Sequence, residues 1–288
     1  MIYEGICIMI KKFDMQKNKF KSIGDSGSLT RSLMSEIKNG LKNQCVPLHL
    51  EYQPKVNDMG EVMGAEALLR WQHPRYGYIS PLFITRICDE AGLTNELGRW
   101  VIKQAFGDLE SLRKLKYDKI SFSVNLSPKQ LHEDEELIQV VSLCAKQLHM
   151  NPRYMELELM ENATIDLGPS TQNKLKKIRD LGINISIDDF GMGHSSLLYL
   201  CKLYANVVKL DAALVQNVTK DGYYKQIVGA ILSLCKQINV MVVAEGVETE
   251  DQLVILQELG CECFQGFYFS RSMTITKFIE YVNTKGCA

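Results

Sequence analysis

Between Asn184 and Ser196 the chain reads Asn-Ile-Ser-Ile-Asp-Asp-Phe-Gly-Met-Gly-His-Ser-Ser, and its adjacent acids, Asp188 and Asp189, are the first candidates for chemistry. Two neighbouring carboxylates repel unless a cation stands between them. Ile183, Ile185 and Ile187 alternate with Asn184, Ser186 and Asp188, the period of a strand with two different faces. Neighbours in a regular strand point to opposite faces, so both acids can converge on one ion only where the strand is ending. Gly191 and Gly193 supply such an ending. Taken alone, an Asp pair before glycine reads equally well as the start of a turn. The other acids of the chain tip that balance.

Glu66, Glu158, Asp188, Asp189, Glu245 and Glu248 carry six negative charges and Lys209 one positive, an excess of five. Gathered in a partly buried mouth, that excess needs compensation, and two divalent cations would cancel most of it. The donors are all oxygens, with no His or Cys at these positions, which favours Mg²⁺ or Mn²⁺ over Zn²⁺. Oxygen-ligated metal pairs suit in-line displacement at phosphorus, and Arg70 and Lys209 add positive charge for a phosphate. Lys209 could instead pair with Asp211, two residues further along its strand.

These residues need a scaffold that brings them to one end. Strand-like runs fall at Leu48–Val56, Met63–Trp71, Lys119–Leu126, Tyr154–Met160, Asn184–Phe190, Asn206–Asp211, Met241–Gly246 and Cys263–Phe269, with helical patterns between nearly all of them. Ser80-Pro81 reads as a helix start, Ser127-Pro128-Lys129-Gln130 and Thr249-Glu250-Asp251-Gln252 as capping boxes, and Gly92, Gly182 and Gly260 as helix stops. Only a few residues around Asn57-Asp58-Met59-Gly60 separate the first two strands, so these two should be antiparallel. The predicted fold is α/β, a TIM-like (β/α)8 barrel with a reversed first strand; no G-x-G-x-x-G follows a strand to support an open doubly wound sheet. Barrel enzymes carry their chemistry at the C-terminal ends of the strands. Nearly every run carries polar or charged residues toward its end, on the face shared with small or apolar neighbours: Glu66 and Arg70, Asn125, Glu158, Asp188, Lys209 and Asp211, Glu245, and Gln265.

The totals bound the alternatives. A chain of 288 residues with 46% hydrophobic content can bury one large core or two modest ones. A net charge of −1 gives no electrostatic argument for a nucleic-acid polymer or an anionic membrane. Nine scattered cysteines without C-x-x-C spacing read as reduced thiols of a cytoplasmic protein, not as a disulfide framework or a structural zinc site. The apolar run from Ile6 to Ile10 is too short to span a bilayer and is followed by lysines, the wrong order for a signal peptide. Residues 1–28 are therefore expected to be a flexible segment or an expression remnant. Leu33, Ile37 and Leu41 mark a lead-in helix over 29–42 that opens a domain running to 288.

The run Gly64-Ala65-Glu66-Ala67-Leu68-Leu69-Arg70-Trp71 resembles the signature of the EAL domain, a family of cyclic-di-GMP phosphodiesterases built on a barrel with a reversed first strand. The likeness continues through Tyr52-Gln53-Pro54, Val124-Asn125-Leu126-Ser127, Glu158-Leu159-Met160-Glu161, Asp188-Asp189-Phe190-Gly191 and Lys209-Leu210-Asp211. It extends to Ala244-Glu245-Gly246-Val247-Glu248-Thr249 and Gln265-Gly266-Phe267, spanning roughly residues 45 to 283. The resemblance implies that Glu66, Asn125, Glu158 and Asp188 hold one metal. Asp188 bridges to a second, joined by Asp189 and Glu248. Lys209 holds or orients a metal-bound water, and Glu245 is the general base unless a metal-bridged hydroxide makes a base unnecessary. Glu161 braces the loop after the Asp pair, Gln265 orients ligands, and Gln53 and Arg70 lie on the substrate path.

The implied reaction opens cyclic di-GMP to linear 5′-pGpG with Mg²⁺ or Mn²⁺, and Ca²⁺ is expected to inhibit. The expected partners are cyclic di-GMP, a second copy of the chain, and an upstream sensory or GGDEF domain outside this sequence. Departures from the family pattern are Met160 and Met192 in place of Thr and His194 in place of Tyr. Phe83-Ile84-Thr85 also lacks the customary proline. These bear on the dimer and its regulation more than on the chemistry. The alternative is an EAL module that only binds the dinucleotide or a protein; such modules usually lack several metal-holding acids, and this chain keeps the set.

Overall fold

The computed structural model describes residues 26–147, 151–161, 168–191, 200, 202–220 and 222–288, so the expectations for residues 1–25 lie outside it. In chain order the elements are α1 (Ser26–Asn43), β1 (His49–Asn57), β2 (Val62–His73), β3 (Gly77–Ile79), α2 (Pro81–Glu90), α3 (Thr94–Lys114), β4 (Ser121–Asn125), α4 (Pro128–Glu133) and α5 (Leu137–Gln147). They continue with β5 (Met155–Met160), α6 (Pro169–Asp180), β6 (Asn184–Phe190), β7 (Val207–Leu210), α7 (Ala212–Asn217), α8 (Gly222–Gln237), β8 (Met241–Ala244), α9 (Glu250–Glu258), β9 (Cys263–Phe264) and α10 (Ile275–Lys285). The described residues fall into two compact units, those of 26–49 with 70–97 and those of 50–69 with 98–288.

In the smaller unit α1 buries Leu29, Leu33, Ile37 and Gly40 on one stripe, with Leu41 only half-buried. Gly40 takes the place the periodicity assigned to Leu41 because the chain folds back there: Cys45 N–H donates to its carbonyl at 2.9 Å, and a Cβ would stand 2.8 Å from the Cys45 carbonyl oxygen. Helix α2 starts where expected, with Ser80 Oγ accepting from Phe83 N–H at 3.3 Å. Strand β3 was not among the predicted runs; it pairs antiparallel with the end of β2, Trp71 opposite Ile79, and three residues are too few to show a period.

The larger unit holds the barrel. Strands β4 to β9 pair in parallel in sequence order, and β2 lies parallel to β4. Strand β1 is antiparallel to β9 and also pairs with β2, which closes eight strands into a ring with the first one reversed. A hairpin makes that reversal: Gly60 N–H donates to Asn57 O, and Asn57 Oδ1 accepts from both Met59 and Glu61 N–H. Residues on the outer face of the strands, among them Val124, Leu157, Leu159, Ile185, Ile187 and Val208, join one large apolar core. Full burial of each such side chain contributes roughly 1.5–3 kcal/mol. Tyr52 fastens β1 into this layer, stacking on Phe122 at 4.4 Å and donating its hydroxyl to Asp108 Oδ2 at 2.6 Å.

Both predicted capping boxes form, Ser127 with Gln130 and Thr249 with Gln252. The last strand is shorter than expected, ending at Phe264 and not Phe269. Beyond it the chain turns: Val247 N–H donates to Gln265 O and Tyr268 N–H to Val247 O, so these groups are taken up across the turn and not in a strand ladder. The approach is so close that a Cβ on Gly266 would lie 2.1 Å from the Val247 carbonyl oxygen.

Candidate active site

Alternation along the strands turns Glu66, Ser123, Glu156, Glu158, Ser186, Asp188 and Lys209 toward the barrel interior, where all but Asp188 are buried. Strand β6 breaks this alternation near its end. Ile187 pairs with Val208 and Phe190 with Leu210, so three steps on β6 match two on β7, and Asp189 stands in the left-handed region at φ 57. This bulge swings Asp189 to the side of Asp188. One oxygen each from Asp188, Asp189 and Glu245 then lie within 4.8 Å of one another. The two acids converge through a bulge inside the strand, where a simple strand end was expected.

Lys209 is the hub of the acids. Its Nζ is 2.7 Å from Glu158 Oε2, 2.7 Å from Glu245 Oε1, 3.0 Å from Asp188 Oδ1 and 3.3 Å from Glu66 Oε2. Asp211, the other partner weighed for it, instead caps α7, accepting from Ala213 N–H at 2.6 Å. Glu66 is held from two further sides: Asn125 Nδ2 donates to Oε1 at 2.9 Å and Gln265 Nε2 to Oε2 at 2.8 Å. Gln265 Nε2 also reaches Gln53 Oε1 at 3.2 Å, while Gln53 Nε2 donates to the Ser270 carbonyl. Glu161 sits outside this cluster. Its N–H donates to Asp188 O and its Oε2 accepts from Gly191 N–H at 2.9 Å, so it ties down the backbone on both sides of Asp189.

A cavity of about 310 Å³ opens beside the cluster, lined by Gln53, Glu66, Leu68, Glu245, Glu248, Gln265 and Phe267 among others. Glu248 reaches the site as part of this wall, outside the close Asp188–Asp189–Glu245 triad. Arg70 belongs to the smaller unit and is half-buried. Met160 is 47% exposed at the end of β5, and Met192 and His194 lie outside the described residues.

Sequence reading passed over Lys55. Its Nζ lies 3.0 Å from Glu156 Oε1 and 3.0 Å from Glu158 Oε1, all three side chains being buried. Its place two residues after Gln53, in phase with it on one strand, was the available signal. Lys55 and Glu156 add one charge of each sign, so the formal excess remains five negatives.

That excess shows in the carboxyl groups. Burial, then the Asp188 carboxylate, push Asp189 up to about 6. Burial raises Glu245 well above the usual range, with Asp188, Glu66 and Glu158 adding to it against Lys209. Burial and the Glu158 charge raise Glu66 too. Burial would also raise Glu158, but Lys209 and Lys55 outweigh it and hold that carboxyl at about 2. Asp188 Oδ1 is buried and touches the Lys209 ammonium without a hydrogen bond. An under-bonded carboxylate oxygen, two crowded acids beside it and an all-oxygen donor set fit a hard divalent cation.

The family model described as EAL domain matches residues 34–272. The cyclic di-GMP phosphodiesterase NbdA of Pseudomonas aeruginosa is 33% identical over 249 residues, covering 86% of this chain and 31% of that protein. The bifunctional diguanylate cyclase/cyclic di-GMP phosphodiesterase MucR of the same organism is 34% identical over 251 residues, covering 87% and 36%. This chain thus spans about a third of the length of those two relatives. Among solved structures, the PaMucR phosphodiesterase in complex with c-di-GMP superposes with a TM-score of 0.78 at 34% identity, covering 86% of this chain and 99% of that one. The cGMP-bound form of the EAL enzyme Bd1971 gives a TM-score of 0.79 at 28% identity, covering 95% and 74%.

Proposed function

The chain belongs to the EAL domain family, and from that membership we propose that it is a metal-dependent phosphodiesterase that hydrolyses cyclic di-GMP to linear 5′-pGpG and so lowers the level of this second messenger. The observation that carries the reading is the convergence of Asp188, Asp189 and Glu245 beside a cavity whose wall also includes Glu66 and Glu248. A receptor that only binds the dinucleotide has no need of so many crowded acids.

In this reading residues 29–288 form the phosphodiesterase domain. Glu66, Asn125, Glu158 and Asp188 would hold one Mg²⁺ or Mn²⁺, and Asp188, Asp189 and Glu248 the second. Bound there, such ions would supply Lewis-acid polarisation of the phosphoryl group and a more acidic attacking water. Glu245, grouped with Asp188 and Asp189 and with its Oε1 on Lys209, is placed to accept the proton of the attacking water. Water adds to phosphorus, the bond to the 3′-oxygen breaks, and that oxygen takes up a proton. Lys209 balances the carboxylates that surround it and keeps them aimed at one point. Gln265 and Gln53 fix the orientation of Glu66 at the cavity wall. Glu161 acts through the backbone around Asp189 and is a positioning residue.

The working form is a homodimer in the cytoplasm, joined in the whole protein to an upstream sensory or GGDEF domain. Among the described residues no helix is long and apolar enough to cross a membrane. The test is incubation with cyclic di-GMP and Mg²⁺ or Mn²⁺ followed by nucleotide chromatography. Appearance of pGpG, lost in Glu66→Ala and Asp188→Asn, supports the enzyme; binding without pGpG selects the receptor, and no binding selects a protein-interaction module.

A further inference from the structure

Lys55 reaches across the barrel. It stands on β1, which pairs with β2 and β9, while its two carboxylate partners stand on β5. Glu158 consequently has an ammonium on each oxygen: Lys55 on Oε1 at 3.0 Å and Lys209 on Oε2 at 2.7 Å. A carboxylate held at one oxygen turns freely about its last torsion, whereas one held at both has a fixed plane. Each oxygen keeps a further lone-pair site for a cation. Stability alone does not call for this arrangement, because a buried ion pair is often no better than apolar side chains of the same volume. With Glu158 taken as a metal holder, the role given to it in the proposed function, we propose that Lys55 is a positioning residue that fixes the Glu158 carboxylate for metal binding. Glu156, 3.0 Å from the Lys55 ammonium, serves as its counter-charge and stays outside the metal set.

A merely structural tie between β1 and β5 would make the loss of either Lys55 or Glu156 felt in stability only. Mn²⁺ alone is therefore titrated calorimetrically into the full chain and its variants, with melting temperatures recorded in parallel. The decisive variant is Lys55→Met combined with Glu156→Gln, which leaves the interior charge unchanged while freeing Glu158 Oε1. Its Mn²⁺ affinity is expected to fall by about tenfold or more, with Glu156→Gln alone, where Lys55 still holds Glu158, staying within about twofold of the parent. Should the double variant fail to fold, Lys55→Gln combined with Glu156→Gln, which keeps the interior charge unchanged and lets the two amides hydrogen-bond each other, replaces it with the same expectation. Parent-like Mn²⁺ affinity in the Lys55 variant, or an equal loss in Glu156→Gln, overturns the proposal. Glu158→Gln separates the two readings. If it loses Mn²⁺ and the Lys55 variant does not, only the role of Lys55 is dismissed; if it binds Mn²⁺ as the parent does, Glu158 holds no metal and both ideas fall.

Discussion

Asp188 and Asp189 are consecutive residues of one strand, yet an oxygen of each lies within 4.8 Å of the other and of Glu245, because Asp189 is turned into the left-handed region at φ 57. Asp and Asn tolerate that conformation better than other side chains. Asp189→Asn should therefore keep the bulge and the melting temperature while losing metal affinity and turnover. Asp189→Ala should lose both function and roughly 1 kcal/mol of stability to backbone strain. Comparing urea denaturation of the two variants with cyclic-di-GMP turnover separates the backbone role from the charge.

Lys209 is the ammonium shared by Glu66, Glu158, Asp188 and Glu245. Removing one partner of a buried ionic cluster leaves the other uncompensated, at a cost of about 3–5 kcal/mol. Lys209→Met is expected to destabilise the metal-free chain by about that much and to abolish turnover. A denaturation midpoint indistinguishable from the parent's would show that the carboxylates do not depend on this ammonium.

Metal-free protein should be more stable at pH 5 than at pH 8. Asp189 lies at about 6, and Glu66 and Glu245 are also raised, so the folded chain binds more protons than the unfolded chain in this window. Stability then falls as pH rises through the folded values. Glu158, held at about 2, works in the opposite sense but only at lower pH. Melting temperatures in a chelator at the two pH values check the sign. Adding Mg²⁺ or Mn²⁺ should reverse it, because metals bind the ionised acids.

Ca²⁺ should compete with Mg²⁺ or Mn²⁺ and inhibit. It accepts a looser, larger coordination sphere and polarises water less. Turnover measured in Mn²⁺ while Ca²⁺ is titrated in should decline to near zero; undiminished turnover with Ca²⁺ as the sole divalent ion contradicts this.

Alkylation at pH 8 should mark Cys45 and spare Cys88, Cys235, Cys261 and Cys263 in the folded chain. Cys45 is exposed, whereas burial pushes Cys88 and Cys263 up to about 12 and Cys235 and Cys261 to about 11. The thiolate is the reactive form, so those four stay inert until the chain unfolds. Peptide mass spectrometry after brief iodoacetamide treatment, with and without denaturant, reads the difference.

The reversed first strand, the order of the barrel strands and most of the acids at their ends were legible in the sequence, because period-two alternation, a four-residue hairpin turn and capping boxes are local signals. Two features of the site were not. The bulge that joins Asp189 to Asp188 depends on how β6 registers against β7, which no stretch of β6 alone encodes. The pairing of Lys55 with Glu156 and Glu158 spans about a hundred residues of chain and three steps around the barrel. In a strand read by itself, Lys55 is one more polar residue. Only closure of the ring places its ammonium against two buried carboxylates, since burial and charge pairing are properties of the assembled interior.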